Sequence, residues 1–271
     1  MIQPETITEK LLFATVRIET VKGSIGTGFF FNFIINDKTY PIIITNKHVI
    51  GENQEEEVIF SFHTSTGDKV LDNNSTIKYK LDWFPHQSQD LCFCFAGPFI
   101  NYFKEKDNID VFRTALQSDL IWQDVKLQEL SAIEEVIMVG YPIGLWDKQN
   151  NFPIFRKGIT ASHPAVDFNN KNIGVVDMAC FPGSSGSPIF ILNENGFTDR
   201  KGVTHIGAKR LIFLGVLSSG PKFTSTGEIT VEDIPTQQKT LSKTPVMINL
   251  GYYIKAEEIL TFEEKIKEII K

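Results

Sequence analysis

Three polar side chains lie at positions where nucleophilic catalysis is possible. Ser185 lies in the turn Gly-Ser-Ser-Gly at 183–186, whose glycines allow backbone N–H groups to point the same way as a serine hydroxyl. A serine hydroxyl is a poor nucleophile at neutral pH and needs a histidine base that a carboxylate orients. His48 follows one apolar segment and Asp90 begins another. The order His48, Asp90, Ser185 therefore predicts acyl-transfer chemistry.

Other residues compete for these roles. His86 lies four residues before Asp90, but no buried strand is predicted before it, and Asp82 is followed by a loop-like Trp-Phe-Pro segment. Cys180 lies outside the turn that holds Ser185, so we expect a buried, inert thiol rather than a nucleophile. We interpret His86 as a bystander, and likewise the remaining histidines, His63, His163 and His205.

The elements that must position these residues are predicted to be strands. Short segments rich in β-branched and aromatic residues are separated by Gly, Asn and Asp. They are 13–18, 28–35, 40–45, 58–62, 76–81, 91–95, 135–140, 172–179, 188–192, 211–217 and 246–254. Such strands, with 22 Phe to fill the interior, predict an all-β sandwich or pair of barrels.

The C-terminal segment has a helical pattern instead. Apolar residues recur at spacings of three and four, and Glu263 and Lys267 form an i,i+4 pair. Thr261 and Glu264 fit a capping box, which predicts that the last helix starts at Thr261, after a preliminary turn at 256–260. We expect this helix to pack on the β-core.

One segment is predicted to be a bridge and two others to be surface loops. Segment 101–128 is charged and weakly periodic, and it is interpreted as a bridge between two halves. Segments 193–210 and 221–245 are polar and are predicted to be long surface loops.

Composition excludes several classes of protein. The 271 residues include 27 Lys and Arg against 33 Asp and Glu, so a net charge of −6 argues against a nucleic-acid partner. No apolar run approaches the roughly 18 residues of a membrane span, and residues 1–20 lack a secretory signal pattern. Cys92 and Cys94 lie on one predicted strand and cannot pair, and they lack metal-ligand spacing. We therefore expect a cytoplasmic protein with no metal, no cofactor and no membrane contact.

Five segments together carry a family resemblance. They are Gly26–Phe29, Ile44–Val49, Asp90–Cys92, Val139–Gly144 and Gly183–Pro188. In this order they resemble the trypsin-like, chymotrypsin-fold serine peptidases, and most closely the bacterial HtrA/Deg-type branch without a PDZ domain. The match runs from about residue 10 to residue 256, and its motifs are specific only jointly.

The resemblance implies one peptidase domain over 1–271 that contains two packed six-stranded antiparallel barrels. The implied parts are a first barrel at 8–110, a linker at 111–128, a second barrel at 129–255 and a C-terminal α-helix at 256–271. No PDZ-like domain is expected to fit after residue 255. The site would lie in the crevice between the barrels.

The resemblance also implies residue roles. His48 would be the general base, Asp90 would orient it, and Ser185 would attack a polypeptide carbonyl whose oxyanion the N–H groups of Gly183 and Ser185 would hold. The implied substrate-binding residues are Ala179, Ser218, Ser219 and Gly220.

Three departures from the family pattern refine this expectation. Ala179 replaces the acid that selects Lys or Arg in some members, so an apolar residue before the scissile bond is expected. Ser184 replaces the aspartate that pairs with a new N-terminus in zymogens, so activation by N-terminal cleavage is not expected. Ser187 replaces a glycine and is expected to leave the turn intact.

Two other functions stay open at this point. One is a catalytically silent module that binds peptides in the same crevice. The other is an effector peptidase of a bacterial stress or defence system that an activating protein partner switches on.

Overall fold

The computed structural model describes residues 1–21, 23–51, 57–142, 145–229, 240–247 and 249–271, with backbone alone at 72–73, 124, 222–229 and 240–247. The strands are β1 (Thr15–Thr20), β2 (Ile25–Ile35), β3 (Lys38–Thr45), β4 (Glu57–Thr66), β5 (Lys69–Lys80), β6 (Phe84–Pro85), β7 (Cys92–Phe95), β8 (Asp110–Phe112), β9 (Glu135–Gly140), β10 (Ile154–Thr160), β11 (Ile173–Asp177), β12 (Pro188–Asn193), β13 (Gly196–Thr198), β14 (Thr204–Ile206), β15 (Arg210–Ser219), β16 (Lys222–Ile229), β17 (Thr240–Met247) and β18 (Leu250–Lys255). The helices are α1 (Ile7–Leu12), α2 (Lys47–Ile50), α3 (Gly97–Asp107), α4 (Asp124–Leu127), α5 (Glu257–Leu260) and α6 (Phe262–Ile269). Over the described ranges, none of these helices has the length and apolarity to cross a bilayer.

Two antiparallel sheets form the body of the protein, which confirms the all-β prediction. The second is a closed barrel with the strand order β10-β11-β18-β15-β12-β9. The first has the order β5-β4-β1-β2-β3-β7-β6, with β8 paired to β4. Among the described residues no pairing joins its outer strands β5 and β6, so the first sheet is open, unlike the closed barrel expected. The edge strand β6 has only two residues, and its Pro85 has no N–H to extend a ladder.

The C-terminal helix packs where the two sheets meet. Phe262 and Ile266 of α6 belong to a buried cluster that also contains Phe29 and Phe93 of the first sheet and Phe213 of the second. The rings of Phe93 and Phe262 lie 4.8 Å apart in an edge-to-face arrangement. Burial of this apolar face therefore joins the helix to both sheets.

The capping box predicted at Thr261 is wrong. The Thr261 hydroxyl donates to the Glu258 carbonyl at 2.7 Å instead of accepting from the following turn. Its backbone is helical, with φ −63° and ψ −22°, so Thr261 continues the chain from α5 into α6. The predicted ion pair is present, with Lys267 Nζ 2.5 Å from Glu263 Oε1.

Two segments predicted as loops contain strand pairs. Strands β13 and β14 form a hairpin within 193–210, and β16 and β17, which pair along their whole lengths, lie largely within 221–245 and end at residue 247. The intervening residues 230–239 lie outside the described residues. Threonine lies in the strands of both segments and favours strands despite its polarity, which is why a polarity criterion misjudged them.

Candidate active site

Strand register brings His48 and Asp90 together. Strands β3 and β7 pair with Thr45 opposite Cys92, so the end of β3 lies beside the start of β7. His48 lies in α2 directly after β3, and Asp90 lies just before β7. His48 Nδ1 is 2.6 Å from Asp90 Oδ2, and the His48 backbone N–H donates to Asp90 Oδ1 at 3.2 Å. This arrangement fixes the ring and leaves Nε2 for another partner.

Further hydrogen bonds hold Asp90 in place. The Asn46 side-chain amide donates to the Asp90 backbone carbonyl at 2.7 Å, and the Ser218 hydroxyl donates to Asp90 Oδ2 at 2.9 Å. Burial alone would raise the pKa of Asp90, but the bond from the His48 ring, the charge of His48 and the Ser218 hydroxyl outweigh it and lower that pKa. The carboxyl group is therefore held as an anion at neutral pH.

The turn around Ser185 uses some of its backbone N–H groups and not others. The N–H groups of Ser184 and Ser187 donate within the turn, and the N–H of Gly186 donates to the Leu217 carbonyl at 2.8 Å. Within the described residues, the N–H groups of Gly183 and Ser185 have no hydrogen-bond acceptor. These are the two donors that the family resemblance implies for the oxyanion.

Thr27 of β2 ties this turn to the first sheet. Its N–H donates to the Ser185 carbonyl at 2.9 Å, and its hydroxyl donates to the Gly183 carbonyl at 3.1 Å. The same hydroxyl accepts the Tyr141 N–H at 3.1 Å, and the Thr27 carbonyl accepts the Thr45 hydroxyl at 2.7 Å. Thr27 is fully buried, so these four bonds lie away from water. Sequence reasoning missed this role, although the flanking Gly-Thr-Gly pattern marks a close approach of two chains.

Two glycines are required by this close packing. Gly186 has a φ of +85°, and a Cβ there would lie 1.9 Å from the Thr27 carbonyl oxygen. A Cβ on Gly140, at the end of β9, would lie 2.0 Å from the Ser187 hydroxyl. The serine at position 187 is thus accommodated by the glycine opposite it. Of the predicted turn Val139–Gly144, the final residues 143 and 144 lie outside the described residues.

His48 and Ser185 line one open cleft of about 420 Å³. The other lining residues are Ser24, Ile25, Val49, Cys180, Phe181, Pro182, Gly183, Leu217, Ser218, Ser219 and Gly220. Ser218, Ser219 and Gly220 therefore lie where substrate contact was expected, whereas Cys180 rather than Ala179 lines the wall. The Ser185 hydroxyl donates to the Ser218 carbonyl at 3.3 Å, and the described contacts include no hydrogen bond between it and His48.

The alternative residues lie elsewhere or are unreactive. Burial raises the pKa of Cys180 to about 11, so its thiol is protonated at neutral pH. His63 and His86 are buried, His163 accepts the Ala165 N–H, and His205 pairs with Asp199.

The fold and this cleft define a class of protein. The family model for the trypsin-like peptidase domain matches residues 26–196, more than half of the chain. The chain therefore belongs to the trypsin-like peptidase family, and its closed six-stranded barrel beside a second antiparallel sheet matches the chymotrypsin-like fold expected of that family. No curated protein matches it significantly in sequence.

Solved protease structures resemble the chain at low sequence identity. The Rv3671c protease in its inactive form is 16% identical, with a TM-score of 0.42 over 94% of this chain and 89% of that one. The tobacco vein mottling virus protease is 12% identical, with a TM-score of 0.47 over 94% and 82% of the two chains. The scabies mite inactivated protease paralogue S-I1 is 11% identical, with a TM-score of 0.44 over 96% of each chain.

Proposed function

We propose that this protein is a serine endopeptidase that cleaves polypeptides with His48, Asp90 and Ser185. His48 takes the Ser185 proton as the hydroxyl attacks the peptide carbonyl, and then gives it to the leaving amine. Asp90 orients the ring and stabilises the imidazolium. The observation that carries the proposal is that Ser185 shares a cleft with His48, whose Nδ1 lies 2.6 Å from the half-buried Asp90 carboxylate.

The backbone of the nucleophile turn supports an oxyanion hole. The N–H groups of Gly183 and Ser185 are unused by the described residues, whereas the other three N–H groups of the turn are bonded. Each donor of an oxyanion hole contributes about 3 to 4 kcal/mol to transition-state stabilisation. In this chain the Thr27 bonds to both carbonyls keep the turn in place.

The cleft favours an apolar or neutral residue before the scissile bond. Ile25, Val49 and Leu217 contribute apolar surface, and no carboxylate is among the described residues that line the cleft. The Arg156 guanidinium lies 4.8 Å from the centre of the ring of Phe181, which lines the cleft. A cation at this position repels lysine or arginine side chains of a substrate.

A second candidate is a peptidase of the same mechanism that an activating partner switches on. It is favoured by the resting bond from the Ser185 hydroxyl to the Ser218 carbonyl, which directs the hydroxyl away from His48. A partner that rotates this side chain would complete the proton-transfer pair.

We place the protein near the bacterial HtrA/Deg-type branch and in the cytoplasm, where its three free, buried thiols would stay reduced.

The test is labelling of the purified chain with a fluorophosphonate probe. Labelling that is lost in Ser185→Ala and kept in Ser184→Ala supports the proposal, because Ser184 is a neighbouring serine that is fully buried. Labelling only after addition of a cell extract favours the partner-triggered form. A folded protein that stays unlabelled in both conditions contradicts the proposed function and favours the peptide-binding module.

A further inference from the structure

The loop that carries Asp90 is organised around a buried histidine, His86. The His86 N–H donates to the Leu91 carbonyl at 2.8 Å and closes the loop. The His86 ring lies inside it, where Nδ1 accepts the N–H of Ser88 at 3.2 Å and the N–H of Gln89 at 2.9 Å. These two amides immediately precede Asp90. A single ring nitrogen therefore fixes the backbone from which the Asp90 side chain extends.

The other side of the ring faces the C-terminal segment. His86 Nε2 lies 3.2 Å from Glu258 Oε2, a close electrostatic contact rather than an aligned hydrogen bond, and both side chains are less than 10% exposed. Glu258 of α5 also accepts a hydrogen bond from the Asn172 side chain, just before β11. The ring of Phe262 packs edge-to-face on His86 with centres 5.5 Å apart. The imidazole thus joins the Asp90 loop to the second barrel and to α6.

These contacts determine the state of the imidazole. Because Nδ1 accepts two N–H groups, it carries no proton, and a neutral ring must then carry its proton on Nε2, opposite the Glu258 carboxylate. Burial lowers the pKa of His86; Glu258 opposes this effect and Lys47 adds to it, so the ring is neutral at physiological pH.

We propose that His86 is a positioning residue for Asp90, acting through the Ser88 and Gln89 amides, with Glu258 selecting the tautomer that leaves Nδ1 free to accept. The inference rests on the proposed function for its kinetic effect. Its structural effect is separate, since the contact between His48 and Asp90 exists whether or not the chain cleaves peptides.

Two substitutions at His86 test its hydrogen bonds to the Ser88 and Gln89 amides separately from its contact with Glu258. In His86→Asn the amide oxygen can take the place of Nδ1 and accept from Ser88 and Gln89, while the contact with Glu258 is lost. In His86→Gln the longer side chain can reach Glu258 but leaves the two amides without an acceptor. We expect His86→Gln to lower kcat by about 10-fold to 100-fold with little change in KM, and His86→Asn to stay within about threefold of the wild type. Urea unfolding of both variants serves as the control for folding.

The second measurement does not need activity. In the ¹⁵N-labelled chain of 271 residues, the ring shifts of His48 report its bond to Asp90. We expect these shifts to move in His86→Gln and to stay unchanged in His86→Asn. Equal kinetic losses and equal shift changes in the two variants overturn the inference, as does a His86→Gln variant with unchanged His48 shifts. If the shifts respond as expected in a chain that never hydrolyses peptides or labels, the proposed function fails and the positioning role stands.

Discussion

The first sheet and the second barrel meet at the cleft, and they differ in whether their candidate catalytic side chains already contact one another. In the first sheet, His48 and Asp90 are joined by a ring contact of 2.6 Å and a backbone bond of 3.2 Å. In the second barrel, the Ser185 hydroxyl donates to the Ser218 carbonyl at 3.3 Å and not to the histidine. The acid–base pair therefore follows from local strand register, whereas the nucleophile depends on how the barrel is held against the first sheet.

Contacts between the two regions lie near the cleft and far from it. Near the cleft, Thr27 bonds to the carbonyls of Gly183 and Ser185. Farther away, the rings of His63 and Phe152 lie 5.3 Å apart, and His63 Nε2 lies 3.2 Å from the Asn151 carbonyl. The first set acts on the geometry of the turn directly, whereas the second acts through overall stability.

The largest expected effect comes from breaking the preformed pair. Asp90→Asn keeps the size of the side chain but removes the charge that favours a proton on His48 Nδ1. By analogy with serine peptidases in general, kcat for peptide cleavage should fall by about 10⁴-fold. The matched control is Asp82→Asn, which changes an acid outside the site. A rate within tenfold of the wild type would show that Asp90 does not orient the histidine.

The next largest effect is expected for stability, and it tests the contact of His63 with the Asn151 carbonyl through its pH dependence. Burial lowers the pKa of His63 from 6.5 to about 4, and the bond to Asn151 opposes this shift. Between pH 6.5 and pH 4, His63 binds a proton in the unfolded chain but not in the folded chain. Its contribution to the free energy of unfolding is therefore fully present above pH 6.5 and is lost as pH falls towards 4. The loss amounts to about 3 kcal/mol.

Urea denaturation followed over this pH range measures the effect. His63→Gln should flatten the slope while the chain stays folded at neutral pH. An unchanged slope in this variant would assign the acid sensitivity to other groups. The pKa of Asp90 is also lowered in the folded chain. Because Asp90 is an acid, its contribution to the free energy of unfolding is lost only as pH falls below the ordinary aspartate range, under about pH 4.

The residues of the site could be named from the sequence because each belongs to a local pattern. His48 follows an apolar strand, Asp90 begins one, and Ser185 lies in a turn rich in glycine. Most strands were also predicted, since β-branched and aromatic runs are local signals.

Features that depend on tertiary packing could not be found this way. The four bonds of Thr27 join segments far apart in the chain, and His86 looked like a bystander because its partner Glu258 lies 172 positions away. Strand β10, whose residues alternate between exposed and half-buried, gave no continuous apolar run. The Thr261 capping box failed because the Thr261 backbone is helical and its hydroxyl donates to the Glu258 carbonyl, which spacing alone cannot reveal.

A smaller effect should follow from loosening the turn near the cleft. Thr27→Val keeps the volume of the side chain but leaves the Gly183 carbonyl and the Tyr141 N–H without their partner. The free energy of unfolding should fall by about 2 kcal/mol. Thr27→Ser retains the hydroxyl and is the matched control. If the turn geometry matters for catalysis, kcat in the valine variant should fall by more than stability explains, with KM little changed. Equal kinetics in the two variants would make Thr27 a purely structural residue.

The smallest effect is expected from Ser218→Ala, which tests the role of the Ser218 side chain without changing the role of its backbone carbonyl. The substitution removes the hydroxyl that donates to Asp90 Oδ2 at 2.9 Å, but it keeps the carbonyl that accepts from Ser185. Because Asp90 retains both of its bonds to His48, kcat/KM should fall by only about threefold to tenfold, which corresponds to about 1 kcal/mol. The loss of a donor should also raise the pKa of Asp90 and shift any acid-side inactivation to higher pH. A loss as large as that of Asp90→Asn would mean that the second barrel, through Ser218, and not strand register alone, holds the acid–base pair together.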